Sequence, residues 1–162
     1  MSNINRGKDF EEVIRKSFEK VPDTNVERMA DPVQGYLGVR NHADFIVYHK
    51  PYEYHIECKS VHGNTLPFSN ITKNQWDGLL EVSKIDGIIA GVIVWFVDRD
   101  ITLFIPIQTL QLMKDVGIKS IRYDVLDDCE GDTDILEIKG KRKRVFFDYS
   151  MQDFFTHFEQ EE

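Results

Sequence analysis

Apolar residues recur every three or four positions across residues 6–21. Phe10, Val13, Ile14, Ser17, Phe18 and Val21 fall on one stripe there, the signature of an amphipathic helix that Pro22 closes. After a turn-rich stretch with a short strand over 26–29, the period changes. Over 43–49 and 52–61 apolar and polar residues alternate on either side of Lys50-Pro51, which predicts two strands joined as a hairpin. Residues 60–70 follow neither period and read as a loop. Helical spacing returns over 70–86, with Ile71, Gln75, Leu79 and Val82 in series and Gly87 as the stop. The unbroken apolar run over 88–97 and the segment 101–107 predict strands around the turn Asp98-Arg99-Asp100. A helix over 107–117 ends at Gly117. Strands over 120–126, 134–139 and 142–150 precede a last helix over 151–162. Helix, central strands, helix and strands in that order predict an α/β chain with a central mixed β-sheet flanked by helices.

Composition narrows the classes. At 162 residues the chain is expected to form one domain, 1–162, large enough for a proper core. Its longest apolar run has strand length, which argues against a membrane span. The N-terminal residues lack an apolar signal region, so a cytoplasmic protein is expected. Two cysteines, Cys58 and Cys129, are too few for a disulfide framework and suit reduced thiols. The net charge of −8 excludes an indiscriminate nucleic-acid binder, but the charge is uneven. Residues 124–162 carry 12 acids and 5 bases, whereas 1–123 carry 16 and 15. A nucleic-acid surface on the first part is therefore allowed.

The candidate chemistry lies in the hairpin. Strand alternation puts Glu53, His55, Glu57 and Lys59 on one face, opposite Tyr54, Ile56 and Cys58. With the turn at Lys50-Pro51, Tyr48 faces Glu53 and Asp44 faces Glu57, their Cβ atoms roughly 5 Å apart. Such carboxylates repel unless a cation lies between them, and one hard divalent cation suits the gap. Lys59, one strand step away, can orient a water or stabilise charge on a phosphate. The pattern D-x12-E-x-K fits Mg²⁺-assisted phosphodiester hydrolysis. A solvated polar face is the alternative that spacing alone leaves open. Gln75, a glutamine on an apolar stripe, has either a polar task or a bond to backbone.

"NRGKDFE", "ADFIVY", "IECK" and "LPFSNITKNQWDGL" together resemble the RecU-type Holliday-junction resolvases of the PD-(D/E)XK nuclease superfamily, especially short phage-encoded relatives. The resemblance covers about residues 5–106, leaving a C-terminal strand and helix extension over about 107–162. It implies a restriction-endonuclease-like core and a homodimer. It also implies Mg²⁺-dependent paired nicking of four-way DNA junctions in recombination and repair, with Mn²⁺ as a substitute. Carried over, Asp44 and Glu57 are the metal ligands and Lys59 the catalytic lysine. Gln75 stands near the metal, and Glu11 binds a second metal or a metal-bound water. Arg6 lies near DNA phosphate at the entry into the fold. Apart from the resemblance, the near-neutral charge of 1–123 means that DNA binding is expected to depend on a few placed cations such as Arg6, Lys8 and Lys73. A phage-encoded member would work in a bacterial host cytoplasm. The chain departs from the pattern at His42, where the family tends to carry threonine near its metal; we read His42 as a phosphate contact. It also departs in the segment over 60–74, where the family projects a stalk and this chain is short. That segment is expected to lie nearest the junction centre.

The remaining signals are weaker. The basic run 139–144 either contacts DNA or pairs with the acidic stretch 124–134, which lacks calcium-loop spacing. His55 shares the metal face; His49 and His157 have no evident role. The C-terminal aromatic run 145–158 suits packing or a dimer surface. Two rival functions remain open: a restriction-like or repair nuclease acting on duplex DNA, and a non-cleaving DNA-binding or scaffold protein built on the nuclease fold.

Overall fold

The protein is described here by a computed structural model covering residues 6–29, 41–128, 134–143 and 146–159. Helix α1 (Arg6–Glu19) leads into strands β1 (Thr24–Arg28), β2 (Phe45–His49), β3 (Tyr52–Val61) and β4 (Thr65–Pro67). Helix α2 (Lys73–Ser83), strands β5 (Ile88–Phe96) and β6 (Ile101–Pro106) and helix α3 (Ile107–Asp115) follow. Short strands β7 (Ser120–Arg122), β8 (Leu136–Glu137), β9 (Gly140–Arg142) and β10 (Phe147–Tyr149) precede helix α4 (Met151–Glu159).

Six strands form a mixed sheet in the order β1-β2-β3-β5-β6-β8, with β3 and β5 parallel and the other neighbours antiparallel. Two cores sandwich it. On one face Phe10, Ile14 and Phe18 of α1 and Phe154 and Phe155 of α4 pack on Phe45, Tyr54, Ile56, Ile93, Trp95 and Phe104. On the other, Trp76 and Leu79 of α2 and Ile107 and Leu110 of α3 pack on Val92, Val94, Leu103 and Ile105. A parallel pair needs cover on both faces, which is why residues 90–96 of β5 are all buried and the sequence there shows no alternation.

The first helix buries its predicted stripe. Phe10, Ile14, Ser17, Phe18 and Val21 are all buried, and the one polar member is satisfied because Ser17 Oγ donates to the Val13 carbonyl. At the other end of the chain, α4 is fastened to the hairpin. Tyr54 Oη donates to Glu159 Oε1 at 3.0 Å, and His49 Nδ1 lies 2.7 Å from the same oxygen. The His49 ring also stacks on Phe155 with centroids 4.1 Å apart. Tyr149, Phe154 and Phe155 are buried, so these C-terminal aromatics serve packing within the chain.

Two segments differ from expectation. Residues 60–74 do not form a free loop. β3 runs on to Val61, β4 pairs antiparallel with β7 through Leu66 and Ile121, and Leu66, Phe68 and Ile71 are buried in the core beneath α2. Val61, Leu66, Phe68 and Ile71, four apolar residues spread over eleven positions, hid this fold-back, since neither period accommodates them. The strand expected over 120–126 stops at Arg122, and a single 3₁₀ turn, Val125–Asp127, follows. Within the basic run β9 pairs with β10. Arg142 forms an ion pair with Asp100, and Lys143 with Asp148 at 3.7 Å. Residues 129–133, with Cys129, and Arg144 lie outside the described residues.

Candidate active site

The β2–β3 hairpin has the predicted register, with Tyr48 opposite Glu53 and Phe45 opposite Ile56. One further step brings Asp44 to Glu57, and Asp44 N donates to the Ile56 carbonyl at 2.9 Å. The Cys58 amide donates to Asp44 Oδ2 at 2.7 Å, so the next residue of β3 holds the carboxylate of its neighbour strand. Alternation sends Tyr54 and Ile56 into the α1–α4 core and leaves His55, Glu57 and Lys59 facing α2. That face is not solvated: Glu57 is 4% exposed and His55 5%.

Helix α2 arrives over Glu57 with its N-terminus. Thr72 and Gln75 form a reciprocal capping box. Thr72 Oγ1 accepts from Gln75 N, and Gln75 Oε1 accepts from Thr72 N at 3.0 Å. The same amide side chain donates Nε2 to Glu57 Oε1 at 2.9 Å. Gln75 therefore has both a backbone bond and a polar task. Lys59 Nζ lies 3.3 Å from Glu57 Oε1. Asp44, Glu57 and Gln75 share a hollow of about 450 Å³ with Glu11, Met29, Asn41, Thr72 and Lys73.

Burial raises the carboxyl of Asp44, against the opposing effects of the Cys58 amide and Lys59. Glu57 is pushed up to about 8, first by burial and then by Asp44, with Lys59 pulling the other way. Two buried acids, with Asp44 disfavouring the charge on Glu57 and one ammonium beside them, make a site whose full ionisation calls for another cation. The Cys58 thiol, on the opposite face, is pushed well up by burial, which makes it a poor metal ligand.

The other sequence candidates divide. Glu11 reaches the rim of the hollow from α1, and Arg28 Nε of β1 lies 3.4 Å from Glu11 Oε1. Lys8 is exposed and lines a second hollow of about 350 Å³ with Glu11, Glu12, Arg15 and Arg28. Lys73 is exposed at the start of α2, paired with Asp77. The Arg6 side chain lies outside the described residues. His42 does not line the hollow; its Nε2 lies 2.7 Å from His55 Nδ1, and the rings stack at 5.0 Å. Burial, and then His55, lower the His42 pKa. Sequence reasoning missed Arg28, for which an alternating strand carries no signal. It also missed the capping role of Thr72, although T-x-x-Q before an apolar run is a capping-box signature.

A mixed sheet between two helical layers, with an acid ahead of β2 and an E-x-K pair on β3, defines a restriction-endonuclease-like protein of the PD-(D/E)XK class. The family model of recombination protein U, RecU, matches residues 13–143. The chain belongs to the RecU family of Holliday-junction resolvases, and it is an endonuclease that hydrolyses DNA. It is also similar to Archaeoglobus fulgidus Hjc, a Holliday junction resolvase from an archaeal hyperthermophile. That match has 17% identity and a TM-score of 0.48, and covers 73% of this chain and 86% of Hjc. No curated protein sequence matches the chain. Among the described residues no helix is long and apolar enough to cross a membrane.

Proposed function

We propose that the protein is a Mg²⁺-dependent resolvase that acts as a homodimer and nicks four-way junctions in pairs. The observation that carries this reading is the adjoining Asp44 and Glu57 carboxylates, with Lys59 Nζ 3.3 Å from Glu57. The donor set fits a hard divalent ion: it offers carboxylate oxygens, the nearby thiol is not ionised, and Lys59 supplies only one positive charge against two buried acids. Mn²⁺, which accepts the same ligands, would substitute.

In the mechanism Asp44 and Glu57 would hold the ion, which when bound would polarise the scissile phosphate and lower the pKa of a water. The Cys58 amide fixes Asp44 through Oδ2, and Gln75 and Lys59 fix Glu57 through Oε1. Lys59 orients the attacking water or stabilises charge that develops on the phosphate oxygens as the P–O3′ bond breaks. Glu11, on the rim of the hollow, is suited to hold a metal-bound water or a second ion. Lys8, Lys73 and Arg6 supply backbone contacts beyond the reacting phosphate. Two protomers related by a two-fold axis match the two symmetric strands of a junction.

The test sets four-way junction, flap and linear duplex side by side with Mg²⁺, Mn²⁺ and EDTA. Paired nicks in the junction, abolished by EDTA and by Asp44→Asn, are expected. Equal cleavage of matched linear duplex would identify a general duplex nuclease. Binding without cleavage in any metal would identify a scaffold.

A further inference from the structure

The imidazoles of His42 and His55 form a contact that the proposed chemistry does not use. His42 lies two residues before Asp44 on the approach to β2, and His55 two residues before Glu57 on β3. Their rings stack at 5.0 Å with planes 20° apart, and His42 Nε2 lies 2.7 Å from His55 Nδ1. His55 Nε2 lies 3.1 Å from Glu53 Oε2. A carboxylate only accepts, so His55 Nε2 carries a hydrogen toward Glu53. For a neutral ring that leaves His55 Nδ1 as an acceptor, which His42 Nε2–H then fills. The chain of donors runs His42 to His55 to Glu53, and one partner fixes each ring's tautomer.

The third wall is α2. A Cβ added at Gly78 would stand 2.3 Å from His42 Cβ and 3.0 Å from Cγ. The helix therefore approaches His42 as closely as it does only because residue 78 has no side chain. Gly78 is three residues beyond Gln75, so it lies on the same helix face. Asn74 Nδ2 donates to the Asn41 carbonyl at 3.3 Å beside it. One imidazole thus touches the three elements that carry Asp44, Glu57 and Gln75.

We propose that His42 is a positioning residue. Through the bond to His55 and the contact with Gly78, it sets the separation of Asp44 and Glu57 and the seat of α2 over Glu57. Its effect falls on how well the two carboxylates share a divalent ion, not on DNA contact. The proposal rests on reading Asp44 and Glu57 as the ion-holding pair.

The experiment titrates the full chain with Mn²⁺ alone by calorimetry, without DNA, alongside thermal unfolding in EDTA and junction binding in Ca²⁺. His42→Gln keeps a donor near the position of Nε2, His42→Phe keeps the ring without the donor, and Gly78→Ala presses on His42 from the helix. His42→Phe and Gly78→Ala are expected to weaken Mn²⁺ binding about 10- to 100-fold, the usual range when a partner that orients a ligand is lost. Junction affinity in Ca²⁺-saturated samples should stay within about twofold. His42→Gln should recover most of the Mn²⁺ affinity. A merely structural role would lower the melting temperature of all three variants while those that remain folded bind Mn²⁺ like wild type, and that result overturns the proposal. So does a His42→Phe protein that loses junction affinity but keeps Mn²⁺ affinity, since His42 would then be a phosphate contact. If wild type and Asp44→Asn bind Mn²⁺ equally, the reading of the carboxylate pair fails, and the positioning role of His42 with it.

Discussion

Neutralising Glu57 should stabilise the metal-free protein while abolishing cleavage. Glu57 is 4% exposed, and its carboxyl is pushed up from 4.5 to about 8, first by burial and then by Asp44. The unfolded chain releases the Glu57 proton near the ordinary value, but the folded chain retains it until about pH 8. Between these limits the folded state binds more protons, so stability falls as pH rises through the window and levels off above it. The full shift corresponds to about 5 kcal/mol between the two protonation states. Glu57→Gln removes that penalty but replaces the charged partner of Lys59 and disturbs the bond from Gln75, which leaves a net gain of about 2–3 kcal/mol at pH 8.5. For a chain of this size that is a rise in melting temperature of about 5–10 °C. Thermal unfolding in EDTA from pH 4.5 to 9 measures it, with Mg²⁺ added in a parallel series. Wild type should lose stability up to about pH 8, Glu57→Gln should not, and Mg²⁺ should protect wild type most at high pH. A wild-type melting temperature that is flat across the range, or a Glu57→Gln protein less stable than wild type at pH 8.5, would refute the argument that burial and Asp44 oppose the charge.

Lys59→Ala should slow single-turnover cleavage about 10²-fold or more at saturating junction, with binding in Ca²⁺ little changed; the reverse pattern would make Lys59 a simple phosphate anchor. Leu66→Ala should destabilise the protein by about 2–5 kcal/mol in chemical denaturation, because Leu66 is fully buried opposite Ile121. A loss of junction preference with no loss of stability would instead restore the picture of 60–74 as a projecting loop.

The pattern of the chain by itself determined the strand face that carries Glu57 and Lys59, the hairpin that brings Asp44 to it, and the helix that carries Gln75. Each is a local property. Alternation fixes the face, the turn at Lys50-Pro51 fixes the register, and helical spacing fixes the stripe. The motif order also made the family legible before any fold was known. Tertiary structure decided what those residues meet. Alternation cannot tell a solvated polar face from a covered one, and only the packed fold, in which Gln75 of α2 bonds Glu57, shows that Glu57 is buried beside Asp44. The fold-back of 60–74 was equally out of reach, since Leu66 has its partner at Ile121, more than 50 residues away. His42 shows the same limit: a histidine two residues before Asp44 reads as a group near phosphate. Its bond to His55 and its seat against Gly78 arise only when the hairpin and α2 are packed together, because contacts between elements depend on distances in space that sequence spacing does not encode.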